Sequence, residues 1–279
     1  MFKRSPARCR GWIVVAAMLM TGGVSSADPL EIHMRSRQAD TGTSSTEVER
    51  TVTWEPARTA VVIVDMWDSH HCLDSKTRVE EMAPRLNAVV KAARQQGMLI
   101  VHAPSGCMAY YKDRPQRRRA VMAPDVKAEA EIKWHNRNPD IEPELPVRPG
   151  CDSRNDLPRW KSQIATIEIG PQDTISDNGQ EIYNVFEQVG IENVIVMGVH
   201  TNVCVLGRPF GIRQWVYHKK NVVLCRDLTD TYHRDPGRHF EGLAATIEHI
   251  ERYWCPTMTS RDLTGEPPFR FQGDTTKGS

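Results

Sequence analysis

Val194-Ile195-Val196-Met197-Gly198-Val199-His200-Thr201-Asn202-Val203-Cys204-Val205 is the stretch on which the reading of this chain turns. Its first four residues form an unbroken apolar run, the pattern of a strand buried on both faces. Gly198 punctuates the run, and residues 203–218 read as a helix. Cys204 therefore falls at the carboxyl end of a buried strand and the amino end of a helix. Ligands of open α/β sheets gather at that edge, and unpaired helix N–H groups favour a thiolate over a thiol. A buried cysteine without such a setting is ordinarily inert packing, which is the expectation for Cys225.

Outward from this stretch the same alternation repeats. Ala60-Val61-Val62-Ile63-Val64 is a second apolar run, and it ends in Asp65. A helix over 79–96 carries Met82, Leu86, Val89 and Val90 on one face, and Gly97 stands where a helix-ending glycine belongs. Strands follow at 98–103 and 164–169, then a helix at 179–189 leading through Gly190 into 193–198. A strand at 221–226, a helix at 240–253 and a short strand near 257–260 complete the series. Apolar strands alternating with helices imply parallel pairing with helices on both faces. The fold class is α/β: a doubly wound, mostly parallel sheet in a three-layer α/β/α, Rossmann-like domain over residues 59–260.

Residues 28–58 form an N-terminal extension in which 30–34 and 48–54 alternate apolar and polar residues, as an edge hairpin would. Residues 104–161 make a long insert rich in prolines, charges and aromatics, and so long a loop is usually functional. Its aromatics, Tyr110, Tyr111, Trp134 and His135, read either as a pocket wall or, by preference, as the insert's own small core. The tail, 261–279, carries Pro267-Pro268 among polar residues and reads as loose.

The start is a targeting segment. Lys3, Arg4, Arg8 and Arg10 precede an apolar stretch at 12–20, and Ser25-Ser26-Ala27 supplies small residues for cleavage. Residues 1–27 are thus read as a signal peptide and the mature chain as exported, to the periplasm or the exterior. Cys9 precedes the apolar stretch and cannot be a lipid-bearing cleavage cysteine. Cys72, Cys107, Cys151, Cys204, Cys225 and Cys255 would remain in a compartment that permits disulfides. Cys72 and Cys107 both follow strand ends, so they are the candidate pair. With 36 basic against 35 acidic residues the formal net charge is +1. That balance recommends neither nucleic acid nor a membrane surface and leaves a small-molecule substrate as the partner. Arg117-Arg118-Arg119 reads as a solvated helix face.

Asp65 closing the first core strand, and Gly198-Val199-His200-Thr201-Asn202-Val203-Cys204 closing the fourth, resemble the isochorismatase-like cysteine hydrolases. That superfamily includes nicotinamidases, N-carbamoylsarcosine amidases and related amidohydrolases. The resemblance runs over about 59–253 and is most specific over 190–230. It implies an Asp–Lys–Cys triad with Cys204 as nucleophile and Asp65 as base, and a cis peptide at Val199–His200. Backbone N–H groups of Cys204 and His200 would hold the oxyanion. Oligomers are common in the resembling family, so a homo-oligomer is among the expectations.

One position departs from that pattern. The triad lysine should close the third core strand, where this chain has Ile167-Glu168-Ile169, placing Glu168 in the lysine's slot. A carboxylate there raises a neighbouring thiol's pKa, the reverse of a lysine's effect. Either Glu168 carries the proton itself or a cation arrives from elsewhere, with Lys133, Lys161 and Arg208 as candidates. Trp67, His71 and Asn202 are candidate substrate-pocket residues. The expectation is that no cofactor is used, with Asp68, His70 and His71 as weak candidates for a divalent metal. His102 reads as a strand-end residue bonded locally.

Three functions are therefore compatible with the sequence. The leading one is an exported cysteine hydrolase that cleaves a small amide-like C–N bond through a Cys204 thioester. The second is an impaired relative that keeps the pocket for binding or assembly. The third is a metal-dependent hydrolase built on Asp68 and the adjacent histidines.

Overall fold

The computed structural model describes residues 28–39, 45–134, 137–151, 153 and 157–276. Eight strands form one sheet in the order β2-β1-β8-β7-β6-β3-β4-β5. The strands are β1 (Leu30–Ala39), β2 (Ser45–Trp54), β3 (Thr59–Val64), β4 (Leu99–Ala103), β5 (Thr174–Ile175), β6 (Asn193–Val199), β7 (Asn221–Asp230) and β8 (Thr257–Met258). From β8 to β5 every pairing is parallel, while β1 joins β8 and β2 antiparallel. The expected hairpin is thus present and extends the sheet at one edge. Because β3 pairs with β4 on one side and β6 on the other, the strand order reverses between β3 and β6. Such a switch point opens a crevice at the strands' carboxyl ends.

All of β3 and β6 is buried, as their apolar runs require. Helix α1 (Leu73–Gln95) begins six residues before its expected start, because its first two turns are polar and carry little periodicity. Short helices α2 (Met108–Tyr111) and α3 (Pro115–Val121) open the insert. Helix α4 (Gly179–Val189) has the expected bounds. The Asn178 side chain accepts from the N–H groups of Gln180 and Glu181, and Gly190 ends the helix at φ 73°. Helices α5 (Ile212–Tyr217), α6 (His239–Tyr253) and α7 (Arg261–Thr264) complete the set.

The structure departs from five expectations. Residues 164–169 form no strand: Ile167 N–H turns back to the Ile164 carbonyl, and β5 takes the place beside β4. The alternation of Ile167-Glu168-Ile169 was too short to separate a strand from a turn with one buried isoleucine. What pins β5 instead is Asp173, whose buried carboxylate bonds His102 on β4 and Arg94 on α1. The helix expected over 203–218 is broken: a π-helical turn covers Thr201–Val205, and Arg208–Gly211 interrupts the path to α5. Pro209, which cannot continue the hydrogen-bond ladder, sits in that break.

Cys72 is bonded to Cys151, not to Cys107, so the bridge ties the N-terminus of α1 to the end of the insert. The segment after Asp262 is docked: Phe271 is buried, and Phe269 N–H donates to Asp227. Nor is the arginine run merely solvated. Arg117 pairs with Glu181 on α4, and Arg119 donates to the carbonyls of Asp173 and Pro171. The insert is anchored by Glu142, wholly buried, which pairs with Arg213 and accepts from His249 and Trp254.

Gly198 sits at φ +110° where β6 bulges against β7, and a Cβ there would stand 2.1 Å from the Val64 carbonyl oxygen. Gly198→Ala is expected to cost about 3 kcal/mol or more, from backbone strain and overpacking together. Urea denaturation would read this as a lower midpoint; an unchanged midpoint would contradict the packing described. Among the described residues no helix is long and apolar enough to cross a membrane.

Candidate active site

Asp65 is the first residue beyond β3, and its φ of 49° lies in the left-handed region that aspartate tolerates better than most residues. The turn sends its carboxylate into the crevice, where the residue is fully buried. Oδ1 accepts from the Ser105 N–H at 2.7 Å, fixing the carboxylate to the end of β4. Oδ2 accepts from Arg208 Nε at 3.2 Å, and the Cys204 thiol lies beside this carboxylate.

Cys204 comes from the turn after β6. The Val199–His200 peptide is cis, and both Val203 and Val205 donate their N–H groups to the His200 carbonyl. This closes a tight turn, and Cys204 is only 5% exposed. Burial, followed by the Asp65 carboxylate, pushes the thiol well above its ordinary range. Arg208 and the His200 backbone act in the opposite direction but do not prevail. The Cys204 side chain is therefore held as a thiol beside the Asp65 carboxyl group, not as the thiolate expected from a helix terminus. Asp65 is also raised by burial, against the pull of Arg208.

The cation at this site is Arg208. One turn after the cysteine, its N–H donates to the Cys204 carbonyl, and its guanidinium reaches Asp65 and the sulfur. Glu168 is elsewhere. Exposed at the surface, it pairs with Lys91 at 2.6 Å, and its backbone bonds Asn87 and Arg94 of α1. Lys133 pairs with Glu131, and the Lys161 backbone N–H bonds Asp68. The signal that could have separated Arg208 from the other two cations is its place four positions after Cys204, the spacing that puts side chains on one helical face.

Rings wall one side of the site. Trp67 stacks on Trp160 at 4.0 Å, and both indoles donate to the Ser105 carbonyl. His70 stacks beside them and meets His200 and Tyr232 edge-on. His71 bonds the Tyr232 hydroxyl at 2.8 Å. Asn202, a candidate for the pocket, instead clamps Tyr232 with both ends of its amide. Behind this wall Asp230 is buried between Arg78 and His239. Trp160, Tyr232 and Asp230 lie far from Cys204 in sequence or inside irregular segments, and no motif marked them.

Burial holds the His70 imidazole down at about 4 and that of His200 at about 3. Both stay neutral in the folded protein at pH values where the unfolded chain protonates them, so stability falls as pH drops below about 6.5. Thermal melts from pH 7.5 to 4.5 are expected to show a steadily falling midpoint, with a shallower slope for His70→Phe. An equal slope in that variant would contradict the assignment.

The weak metal candidates diverge. Both Asp68 oxygens hold the returning chain through Lys161 and Ser162, and His70 Nδ1 accepts from the Cys72 N–H. Among the described residues no group of three or more His, Cys, Asp or Glu is arranged to hold a metal ion.

Fold and site together describe an α/β protein with a thiol, a carboxylate and a guanidinium gathered at the switch point of its sheet. Residues 59–248 match the isochorismatase domain family, and the chain belongs to the isochorismatase family. It is a hydrolase, and its substrate is a small molecule. Solved structures to which it is similar include a cysteine hydrolase from Pseudomonas syringae pv. phaseolicola 1448A, at 16% identity and a TM-score of 0.47, covering 75% of this chain and 92% of that one. Another is N-carbamoylsarcosine amidase from Thermoplasma acidophilum, at 13% and 0.39, covering 73% and 96%. Pyrazinamidase of Pyrococcus horikoshii, in complex with zinc, matches at 17% and 0.38, covering 68% and 94%.

Proposed function

We propose that the protein cleaves a small amide-like C–N bond through a thioester on Cys204, with Asp65 as proton carrier and Arg208 in the role the family gives to a lysine. The observation that carries this is one buried carboxylate that accepts from the guanidinium and lies beside the thiol. As Sγ attacks the carbonyl carbon its proton passes to Asp65, and the C=O electron pair moves onto oxygen. The backbone N–H groups of His200 and Cys204 are assigned to that oxyanion. Collapse expels the amine, which takes the proton from Asp65, and leaves the thioester. Water, deprotonated by Asp65, then releases the acid and restores the thiol.

Enclosure of the sulfur favours a small substrate. The reading assigns no step to a metal. Arg208 supplies the positive charge whose loss at the Glu168 position suggested an impaired relative. Export remains part of the proposal: residues 1–27 lie outside the described residues, and the Cys72–Cys151 bridge suits an oxidising compartment.

Ammonia release from a panel of small primary amides and ureido compounds, with wild-type protein and Cys204→Ala, tests this. Release by the wild type alone, unchanged by a chelator, is the expected result. Equal release by both proteins would end the covalent reading.

A further inference from the structure

The insert does more than cover the sheet: it delivers an aromatic face to the catalytic cation. The Arg208 guanidinium carbon lies 4.2 Å from the centre of the Trp134 ring, while its Nε donates to Asp65 at 3.2 Å. We propose that Trp134 is a positioning residue for Arg208, fixing the guanidinium where it serves Asp65 and Cys204 together. The proposal rests on the role given to Arg208 above.

Three features support it. Arg208 is 27% exposed along its side chain, so water competes for the guanidinium and a long flexible stem must be held. A flat ring facing the flat cation does this without neutralising its charge, which an acidic neighbour would do. The strap that carries Trp134 is itself anchored. Gln214, fully buried on α5, accepts from the Lys133 N–H and donates to the Glu131 carbonyl, both at 3.2 Å. Beside this clamp, Ile132 and Pro209 crowd Gly179, where a Cβ would come within 2.7 Å of the Ile132 side chain and 2.2 Å of the Pro209 carbonyl. The strap, the start of α4 and the break that carries Arg208 thus form one packed unit. An insert outside the doubly wound core thereby sets the electrostatics at its centre.

The test uses iodoacetamide as probe on the full chain, with the alkylated cysteine identified by mass spectrometry across pH. Arg208 favours the thiolate, so loosening it slows alkylation of Cys204 and shifts the pH profile to higher pH. Trp134→Leu, which keeps bulk and removes the π face, is expected to slow the reaction about tenfold at neutral pH. Trp134→Phe, which keeps a face, should stay within about threefold. Gln214→Met loosens the strap without touching the indole and should slow alkylation about threefold. A merely structural role for Trp134 would instead expose the sulfur and speed its alkylation. Wild-type rates in both Trp134→Leu and Gln214→Met, or a loss in Trp134→Phe as large as in Trp134→Leu, would overturn the proposal. Arg208→Gln separates the two levels. If it too alkylates at the wild-type rate, the role of Arg208 fails; if it is slow while Trp134→Leu is normal, only the positioning role fails.

Discussion

Asp65→Asn is expected to lower kcat/KM by about a thousandfold or more, while leaving the protein at least as stable at neutral pH. The rate loss follows from removing the carboxylate beside the thiol, the group proposed to take its proton and return it to the leaving amine. A thousandfold corresponds to about 4 kcal/mol of barrier, within the range of general acid–base catalysis. The stability expectation follows from linkage. Burial raises the folded Asp65 above its unfolded value, so the folded state keeps its proton to higher pH than the unfolded chain does. Stability from this group is therefore fully present below about pH 4 and is lost as pH rises through the folded value. Asparagine cannot ionise and escapes that loss. Thermal melts of both proteins from pH 4 to 8 should diverge in favour of the variant as pH rises. An inactive variant that was also less stable throughout would place Asp65 among structural residues.

The second large effect is at Arg208. Without its guanidinium the buried Asp65 carboxylate loses the ion pair that opposes desolvation, and it protonates at a higher pH. A protonated Asp65 cannot take a proton from Cys204. Arg208→Gln is therefore expected to lower kcat/KM by about a hundredfold at pH 7 and to move the acid limb of the pH–rate profile upward. Arg208→Lys keeps the charge but loses the planar group that bonds Asp65 through Nε and lies over Trp134. It should recover part of the loss, leaving about a tenfold deficit. Steady-state rates across pH on any accepted amide would show this order. If glutamine and lysine behaved alike, charge at this position would not be what matters.

The centre of the fold was legible because its signals are long and redundant. Both sides of the crevice rest on apolar runs, Ala60–Val64 before Asp65 and Val194–Met197 before the Cys204 turn, and each run fixes a buried parallel strand. Glycines at 97 and 190 marked helix ends through their backbone freedom, and the structure places both in the left-handed region. The reading failed where the signal was short or the partner distant. β5 has two residues, held by Asp173 through His102 and Arg94, and that bonding is invisible to periodicity. Misplacing that strand carried Glu168 with it into a slot it does not occupy. The Cys72–Cys151 pair spans 79 residues and is set by how the insert returns, which spacing does not reveal. Arg208 was named among the candidate cations but not singled out, although its place four residues after Cys204 puts both on one helical face.

Mass spectrometry of quenched reactions with a small activated ester such as p-nitrophenyl acetate tests the central claim most directly. The account expects a single acetyl group on the peptide containing Cys204, formed within the first turnover, much reduced in Asp65→Asn and absent in Cys204→Ala. Product formed at full rate with the Cys204 peptide unmodified would contradict it, since no covalent path through that sulfur would then be in use.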